Sequence, residues 1–251
     1  MKIGAQMYTL RELCQTPASF DESLRRVAAI GYKTVQISGS GDFGAEAIRA
    51  SADRHGLQII LTHTAPRRIR DDTAAVVEAH RIMGAGYVGI GMMPDEYQSG
   101  AEGADRFIAD YTPAAEMIAA AGMKFMYHNH SFEFERYGGV SVFDRLIAGF
   151  APELMGFTLD TYWIAHGGGD PAFWLKKLSG RVDTVHIKDM KIVGREQRMG
   201  EVLEGNLNWE AIFGAAKQAG VKWAFVEQDD CYGEDPFCCL ETSYRNVTAV
   251  L

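Results

Sequence analysis

The stretch Met123–Glu135, MKFMYHNHSFEFE, begins as an apolar run and ends in a dense group of histidine, asparagine and glutamate side chains. The apolar part is typical of a strand that is buried on both faces of a parallel sheet. A strand core has no use for so many proton-active and metal-binding groups, so we expect this strand to deliver them to a site. Three later apolar runs end in the same way, in the segments GFTLD, DTVHIKD and WAFVEQDD.

Short apolar runs alternate with longer helical patterns along the whole chain, and there are eight such pairs. The runs lie, in chain order, at 3–8, 32–38, 57–64, 87–94, the start of 123–135, 155–163, 181–190 and 221–229. Helix signals stand between them; Thr16 and Pro17, for example, begin a helical pattern that Gly31 ends.

No linker or low-complexity segment separates the eight pairs, so they predict one domain over residues 1–251, an α/β fold of the (β/α)8 TIM-barrel class. The alternative is an open doubly wound sheet. That fold would place a glycine-rich phosphate turn after the first strand, where this chain reads MYTLREL.

Composition limits the classes of partner. Apolar residues make up 47% and charged residues 23% of the chain, as in ordinary globular proteins. The formal net charge of −8 argues against a nucleic-acid binder, which needs a basic face. There is no apolar run of membrane-spanning length, no signal-peptide pattern and no paired CxxC spacing. We expect a cytoplasmic protein with reduced thiols and a small-molecule partner, and the sequence is compatible with a homo-oligomer.

Four polar residues follow the ends of the last four predicted strands. In a barrel the C-terminal strand ends meet at one mouth, which would bring together the residues Glu133, Asp160, His186 and Glu227. Three unpaired carboxylates at one point would repel each other, and a divalent cation would offset that cost. Oxygen ligands with one nitrogen and no thiolate favour Mn²⁺, with Mg²⁺, Co²⁺ or Zn²⁺ as alternatives.

Glu133 is the most open assignment in this set. Glu135 has almost the same claim, and a ligand role can also be filled by the neighbouring residues His128, Asn129 and His130. Taken alone, each of the four residues would more often be an ordinary polar group at a strand end. Asp160, for example, would then cap the following loop.

The combination of YHNHSFEFE, LDTYW, VHIKDM, EGNLNW and FVEQD resembles the xylose-isomerase-like TIM-barrel family of sugar isomerases and epimerases, which also includes inosose dehydratase. The resemblance spans essentially the whole chain. It implies one divalent metal ion, held by the residues Glu133, Asp160, His186 and Glu227, and substrate contacts at Lys188 and His63. The chain departs from the family where the usual Gly-Glu-Gly reads Leu203-Glu204-Gly205, which leaves the shape of that loop open.

The same resemblance, together with the ligand set, predicts an isomerase or epimerase that acts on a ketose or keto-polyol. The substrate would chelate the metal through a carbonyl and a neighbouring hydroxyl, and Glu133 and Glu227 would move the proton through a stabilised enediolate. A dehydratase of a keto-inositol or 3-keto sugar shares the first step but needs an acid such as His63 or His130. A non-catalytic sugar-binding barrel is the third alternative.

Further substrate contacts are expected at His130, at Lys188, at Trp163 as an apolar wall, and at Arg198 in the loop REQRMGE. The glycine-rich segments SGSGDFG and HGGGDP lack a following GK[ST], so we interpret them as turns rather than as phosphate-binding loops.

Overall fold

The structure is a computed structural model that describes all 251 residues, and its centre is a closed barrel of eight parallel strands. The barrel strands are β1 Lys2–Gln6, β2 Thr34–Ile37, β3 Gln58–His63, β4 Tyr87–Ile90, β5 Lys124–His128, β6 Met155–Asp160, β7 Thr184–Ile187 and β8 Trp223–Val226. Each pairs with its chain neighbour, and β1 closes the ring against β8. The predicted (β/α)8 TIM barrel is confirmed.

Ten α-helices surround the strands. They are α1 Pro17–Ile30, α2 Ala45–Arg54, α3 Pro66–Asp71, α4 Thr73–Met83, α5 Gly100–Ala120, α6 Val142–Gly149, α7 Thr161–His166, α8 Pro171–Lys177, α9 Trp209–Ala219 and α10 Pro236–Thr248. The predicted start of α1 is present as a capping box between Thr16 and Ser19, with Pro17 in the first turn. Pro113 lies inside α5, which runs through it as one helix.

The sixth apolar run, residues 155–163, is a strand only as far as Asp160. The chain then turns into α7, because the Asp160 carboxylate accepts a hydrogen bond from the backbone N–H of Trp163 and caps that helix. The LDTYW segment therefore combines a strand end with a helix start. The apolar residues after the aspartate belong to the helix.

Two small antiparallel hairpins lie outside the barrel. One pairs Arg136–Tyr137 with Val140–Ser141, and the other pairs Asp189–Val193 with Glu196–Gly200. The second hairpin follows β7 directly and contains the segment REQRMGE. The sequence indicated only a long loop there, since its alternation is short and mostly polar.

A single core of 57 buried residues packs the strands against the helices. A smaller buried cluster of Ile60, Leu61, Met126 and Phe225 lies on strands β3, β5 and β8. Gly4 on β1 leaves room for the Phe225 ring, since a Cβ there would lie 2.7 Å from it. No helix of the structure has the length and apolar character that crossing a bilayer would require.

Candidate metal centre

Four buried side chains converge at the C-terminal ends of four successive barrel strands. They are His128 of β5, Asp160 of β6, His186 of β7 and Glu227 directly after β8, and one nitrogen or oxygen atom of each lies within 4.8 Å of all the others. Asp160 and His186 are register partners across neighbouring strands, which sets their side chains next to each other. The cluster contains three of the four ligands predicted from the sequence, with His128 as the fourth member.

Asp160 uses its two carboxylate oxygens for different purposes. Oδ1 accepts the hydrogen bond that caps α7, while Oδ2 lies 3.3 Å from His128 Nε2 and 3.7 Å from His186 Nδ1. Its backbone N–H donates to the Asn129 side-chain oxygen at 3.0 Å. These contacts hold the residue from the helix side and from β5, so that Oδ2 faces the centre of the cluster.

Both histidines are oriented by an oxygen acceptor at their second nitrogen. His186 Nε2 donates to Gln36 Oε1 at 2.7 Å, and His128 Nδ1 donates to the carbonyl oxygen of Gly91 at 2.9 Å. A neutral imidazole that donates at one nitrogen presents a lone pair at the other. When neutral, the two imidazoles would present lone pairs at His186 Nδ1 and His128 Nε2 to the centre of the cluster, the arrangement that second contacts impose on metal-binding histidines.

Two buried polar atoms at the centre lack hydrogen bonds. His186 Nδ1 and Glu227 Oε2 are only 2.8 Å apart. Two atoms that both carry lone pairs repel at that distance unless a proton or a cation balances them. Neighbouring ligand atoms of an octahedral Mg²⁺ or Mn²⁺ are on the order of 3 Å apart, given metal–oxygen distances near 2.1 Å. The two imidazoles and two carboxylates are thus a donor set that fits a divalent cation.

A buried lysine lies beside the cluster. Lys188 Nζ is 3.1 Å from Asp160 Oδ2, 2.9 Å from Glu227 Oε2 and 2.9 Å from both oxygens of Asp229. Burial would raise the pKa values of Asp160 and Glu227, but the Lys188 charge and the neighbouring imidazoles outweigh it and hold both well below the usual range. Burial also raises the pKa of Asp229, although Lys188 opposes that rise.

The carboxylates of Asp160 and Glu227 also change the pKa of His186. Burial alone would lower the pKa of its imidazole, but Glu227 and Asp160 outweigh burial and raise the pKa to about 9. At neutral pH a cation-free cluster would therefore carry a proton on His186. A divalent ion would supply positive charge at the same place and would displace that proton.

Glu133 does not join the four clustered side chains. It lies in the short 3-10 turn Phe132–Phe134, where Oε1 accepts a hydrogen bond from Tyr127 Oη at 2.8 Å and Oε2 accepts one from the His130 backbone N–H at 2.9 Å. Burial raises the pKa of Glu133 to about 7, although both hydrogen bonds oppose the rise. Glu135 follows this turn and lines a different, smaller cavity.

A cavity of about 540 Å³ opens above the cluster. Of the predicted substrate contacts, those that line it are His63, His130, Trp163 and Lys188. Its other walls are formed by Tyr8, Arg11, Ser38, Thr64, Ala65, Pro66, Gly91, Met92, Met93, Pro94, His128, Glu227 and Asp229. Arg198 lies outside the cavity, on the second hairpin, where it pairs with Glu196 at 2.7 Å and stacks over Tyr232.

The two predicted cavity histidines have lowered pKa values. Burial lowers the pKa of His130 to about 3, with the nearby His128 adding to the effect, and burial lowers that of His63 well below its usual value. His63 Nδ1 lies 3.2 Å from Ser38 Oγ, while its Nε2 is buried without a partner. Both side chains are neutral hydrogen-bonding groups of the cavity at physiological pH.

Sequence reasoning named His128 only as a competitor for the ligand role and did not identify Gln36. The signal for His128 was present, because a residue at the end of β5 points to the same mouth as those that end β6 and β7. Gln36 carried no such signal. It lies inside a buried β2 segment, and its contact with His186 crosses the barrel between strands that do not pair.

The fold agrees with similarities to known proteins. A family model described as xylose isomerase-like TIM barrel matches residues 24–236. A sugar phosphate isomerase/epimerase from Parabacteroides distasonis ATCC 8503 has a similar structure, with a TM-score of 0.84 and 25% sequence identity over 99% of this chain and 94% of that one. No protein of curated function matches the sequence.

More distant structures share the fold. An L-ribulose 3-epimerase has a TM-score of 0.73 at 14% identity, covering 99% of this chain and 94% of its own. The probable 3-DHS dehydratase AsbF from Bacillus anthracis has a TM-score of 0.74 at 13% identity, covering 99% of each chain. The family-model match covers most of the sequence, and the chain therefore belongs to the xylose isomerase-like TIM-barrel family.

Proposed function

We propose that this protein is a divalent-metal-dependent sugar isomerase or epimerase that acts on a ketose or keto-polyol. The observation that carries the proposal is the convergence of four buried side chains, one ligand atom of each lying within 4.8 Å of the others. The ligands we propose are His128, Asp160, His186 and Glu227. When bound there, Mn²⁺ or a similar ion would stabilise negative charge on the carbonyl and hydroxyl oxygens of a substrate.

Glu227 is the proposed base. It lines the cavity, and its low pKa keeps it ionised at neutral pH, ready to accept a proton from the carbon beside a carbonyl. One base that returns the proton to the neighbouring carbon suffices for aldose–ketose isomerisation. Lys188 is placed to donate a hydrogen bond to a substrate oxygen, and Trp163 forms an apolar wall of the cavity.

Glu133 is proposed to position the site rather than to transfer the proton. Its carboxylate holds the backbone N–H of His130 and the hydroxyl of Tyr127, and so fixes the turn that carries a cavity residue. The sequence had suggested it as both ligand and base. In this structure both of its oxygens already accept hydrogen bonds.

Dehydration is the alternative reaction on the same site. It requires a proton donor for the departing hydroxyl, and the two histidines considered for that task have lowered pKa values, which leave them without a proton to donate at neutral pH. This favours isomerisation or epimerisation over loss of water.

The test is incubation of the Mn²⁺-loaded protein with a panel of ketoses and keto-polyols in D₂O, followed by mass spectrometry and NMR. We expect an isomer that has gained one deuterium from solvent, and we expect Glu227→Gln, which keeps the shape of the side chain, to lose turnover by at least about a hundredfold. A product lighter by one water would support the dehydratase instead. A protein that binds no divalent ion would remove the basis of the proposal.

A further inference from the structure

Two cationic side chains line the cavity, Lys188 and Arg11, and they differ in how their charge is balanced. Lys188 lies within 3.1 Å of three carboxylates. Arg11 follows β1 in the 3-10 turn Met7–Leu13 and forms no ion pair; its guanidinium donates to backbone oxygens only. Arg11 is therefore the cavity cation that no acidic side chain neutralises.

The acidic side chains of the cavity already have cationic partners. The carboxylates of Asp160, Glu227 and Asp229 carry three negative charges, which the ion and Lys188 together neutralise. Arg11 lines the same cavity and has no acidic side chain as a partner.

The guanidinium is held so that one edge stays free. Nη1 donates to the backbone oxygens of Asp229, at 2.8 Å, and Tyr8, at 3.2 Å, and the guanidinium carbon lies 4.6 Å from the centre of the Tyr8 ring. These two bonds account for both hydrogens of Nη1, while Nε and Nη2 donate to no protein atom. The Nε–Nη2 edge is the fork that matches the two oxygens of a carboxylate.

We propose that Arg11 binds a carboxylate of the substrate, so that the substrate class is a keto sugar acid rather than a neutral sugar. The inference rests on the proposed function and deepens it. The two N–H groups of the free Nε–Nη2 edge match the two oxygens of one carboxylate. The carbonyl end of the substrate would lie at the metal centre, and the carboxylate would lie toward β1 and β8, the two strands whose following segments hold Arg11.

The experiment is isothermal titration of the Mn²⁺-loaded protein with matched ligands. D-fructose and D-tagatose are each compared with the corresponding 6-carboxylate, D-fructuronate and D-tagaturonate, and D-fructose is also compared with D-fructose 6-phosphate. We expect at least one uronate to bind tenfold or more tightly than its neutral ketose. Arg11→Met should remove that advantage while changing the affinity for the neutral ketose by less than about twofold, because it deletes only the charge-assisted hydrogen bonds.

Arg25→Met is the matched control, since Arg25 is an exposed residue of α1 that pairs with Glu22; it should leave every affinity unchanged. Equal binding of ketoses and uronates, or an uronate preference that survives Arg11→Met, overturns this inference alone. If D-fructose 6-phosphate binds more tightly than D-fructuronate, the proposal that the substrate is a keto sugar acid is overturned. Failure of every ligand to bind overturns the proposed function together with the inference.

Discussion

His186 and Gln36 are joined by a 2.7 Å hydrogen bond that crosses the barrel interior from β7 to β2. The amide oxygen of Gln36 accepts from Nε2, so the hydrogen bond selects the tautomer that leaves Nδ1 free for the cluster. A residue with no contact to any carboxylate of the site thereby controls the ligand atom. Such outer contacts commonly change metal affinity by 10- to 100-fold when they are lost.

Gln36→Leu should therefore weaken Mn²⁺ binding by about 10- to 100-fold, since the imidazole would be free to rotate or change tautomer. Titration calorimetry with the chelator-treated protein measures the affinity directly. Gln36→Glu keeps an acceptor at the same place and should retain affinity within about tenfold. Equal affinities of wild type and Gln36→Leu would show that His186 needs no such support.

Lys188 is predicted to oppose metal binding while it stabilises the metal-free protein. Its ammonium group contacts Asp160 and Glu227, two of the residues proposed to bind the ion. Lys188→Met removes a competing positive charge, so divalent affinity should rise by tenfold or more. The metal-free protein should lose about 3 to 5 kcal/mol of stability, because buried carboxylates are left without a partner.

Urea unfolding in the presence of a chelator, and calorimetric titration with Mn²⁺, measure the two effects of Lys188→Met separately. Lys176→Met, on the exposed face of α8, is the control and should change neither quantity. A Lys188→Met protein with weaker metal binding would contradict the competition between ammonium and ion.

Glu133→Gln tests both the raised pKa and the ligand role that the sequence suggested. The folded-state pKa of about 7 lies above the ordinary value of 4.5. The folded protein therefore holds this proton more tightly than the unfolded chain, and the burial of Glu133 costs stability progressively as pH rises from 4.5 through 7. At pH 8 the cost is about 3 kcal/mol.

We expect the stability of Glu133→Gln relative to wild type to improve between pH 5 and pH 8, measured by thermal unfolding with a chelator present. Mn²⁺ affinity should stay within about threefold of wild type, since both oxygens are engaged by Tyr127 and His130. A hundredfold loss of affinity would instead place Glu133 among the ligands.

The fold was predictable from sequence because each barrel strand is short, apolar and buried on both faces, and because polar residues follow the strands at one end. Asp160, His186 and Glu227 were identified by that rule, and the structure brings them together. The choice between His128 and Glu133 depended on how the chain turns after β5. That turn is a single 3-10 segment whose geometry is set by the Glu133 hydrogen bonds, and no periodicity in the sequence encodes it.

Some features could not be predicted because they depend on contacts between distant segments. Gln36 meets His186 across the barrel, and Arg11 is held by the backbone of Asp229, 218 positions later in the chain. The loop at Leu203 is a further case. The sequence reads Leu203-Glu204-Gly205 there, and the structure has Leu203 at φ 72°, the left-handed region that glycine adopts most easily.

Asp189 explains how that loop keeps its shape without the glycine. Its buried carboxylate accepts hydrogen bonds from the backbone N–H groups of Leu203 at 2.9 Å and Gly205 at 3.0 Å, from Met190 and Leu207, and from the indole of Trp209. Gly205 is required at its position, because a Cβ there would lie 2.4 Å from the carboxylate. The segments VHIKDM and EGNLNW are thus joined by one side chain.

Asp189→Asn should destabilise the protein by about 2 to 4 kcal/mol, because an amide offers one oxygen to donors that two oxygens now satisfy, and its NH₂ group faces further N–H groups. Urea unfolding measures the change. Glu204→Gln, an exposed change in the same loop, should shift the midpoint by less than about 0.5 kcal/mol. Equal stability of the two variants would mean that the left-handed Leu203 is maintained by packing alone; a loss confined to Asp189→Asn would show that the carboxylate holds the loop.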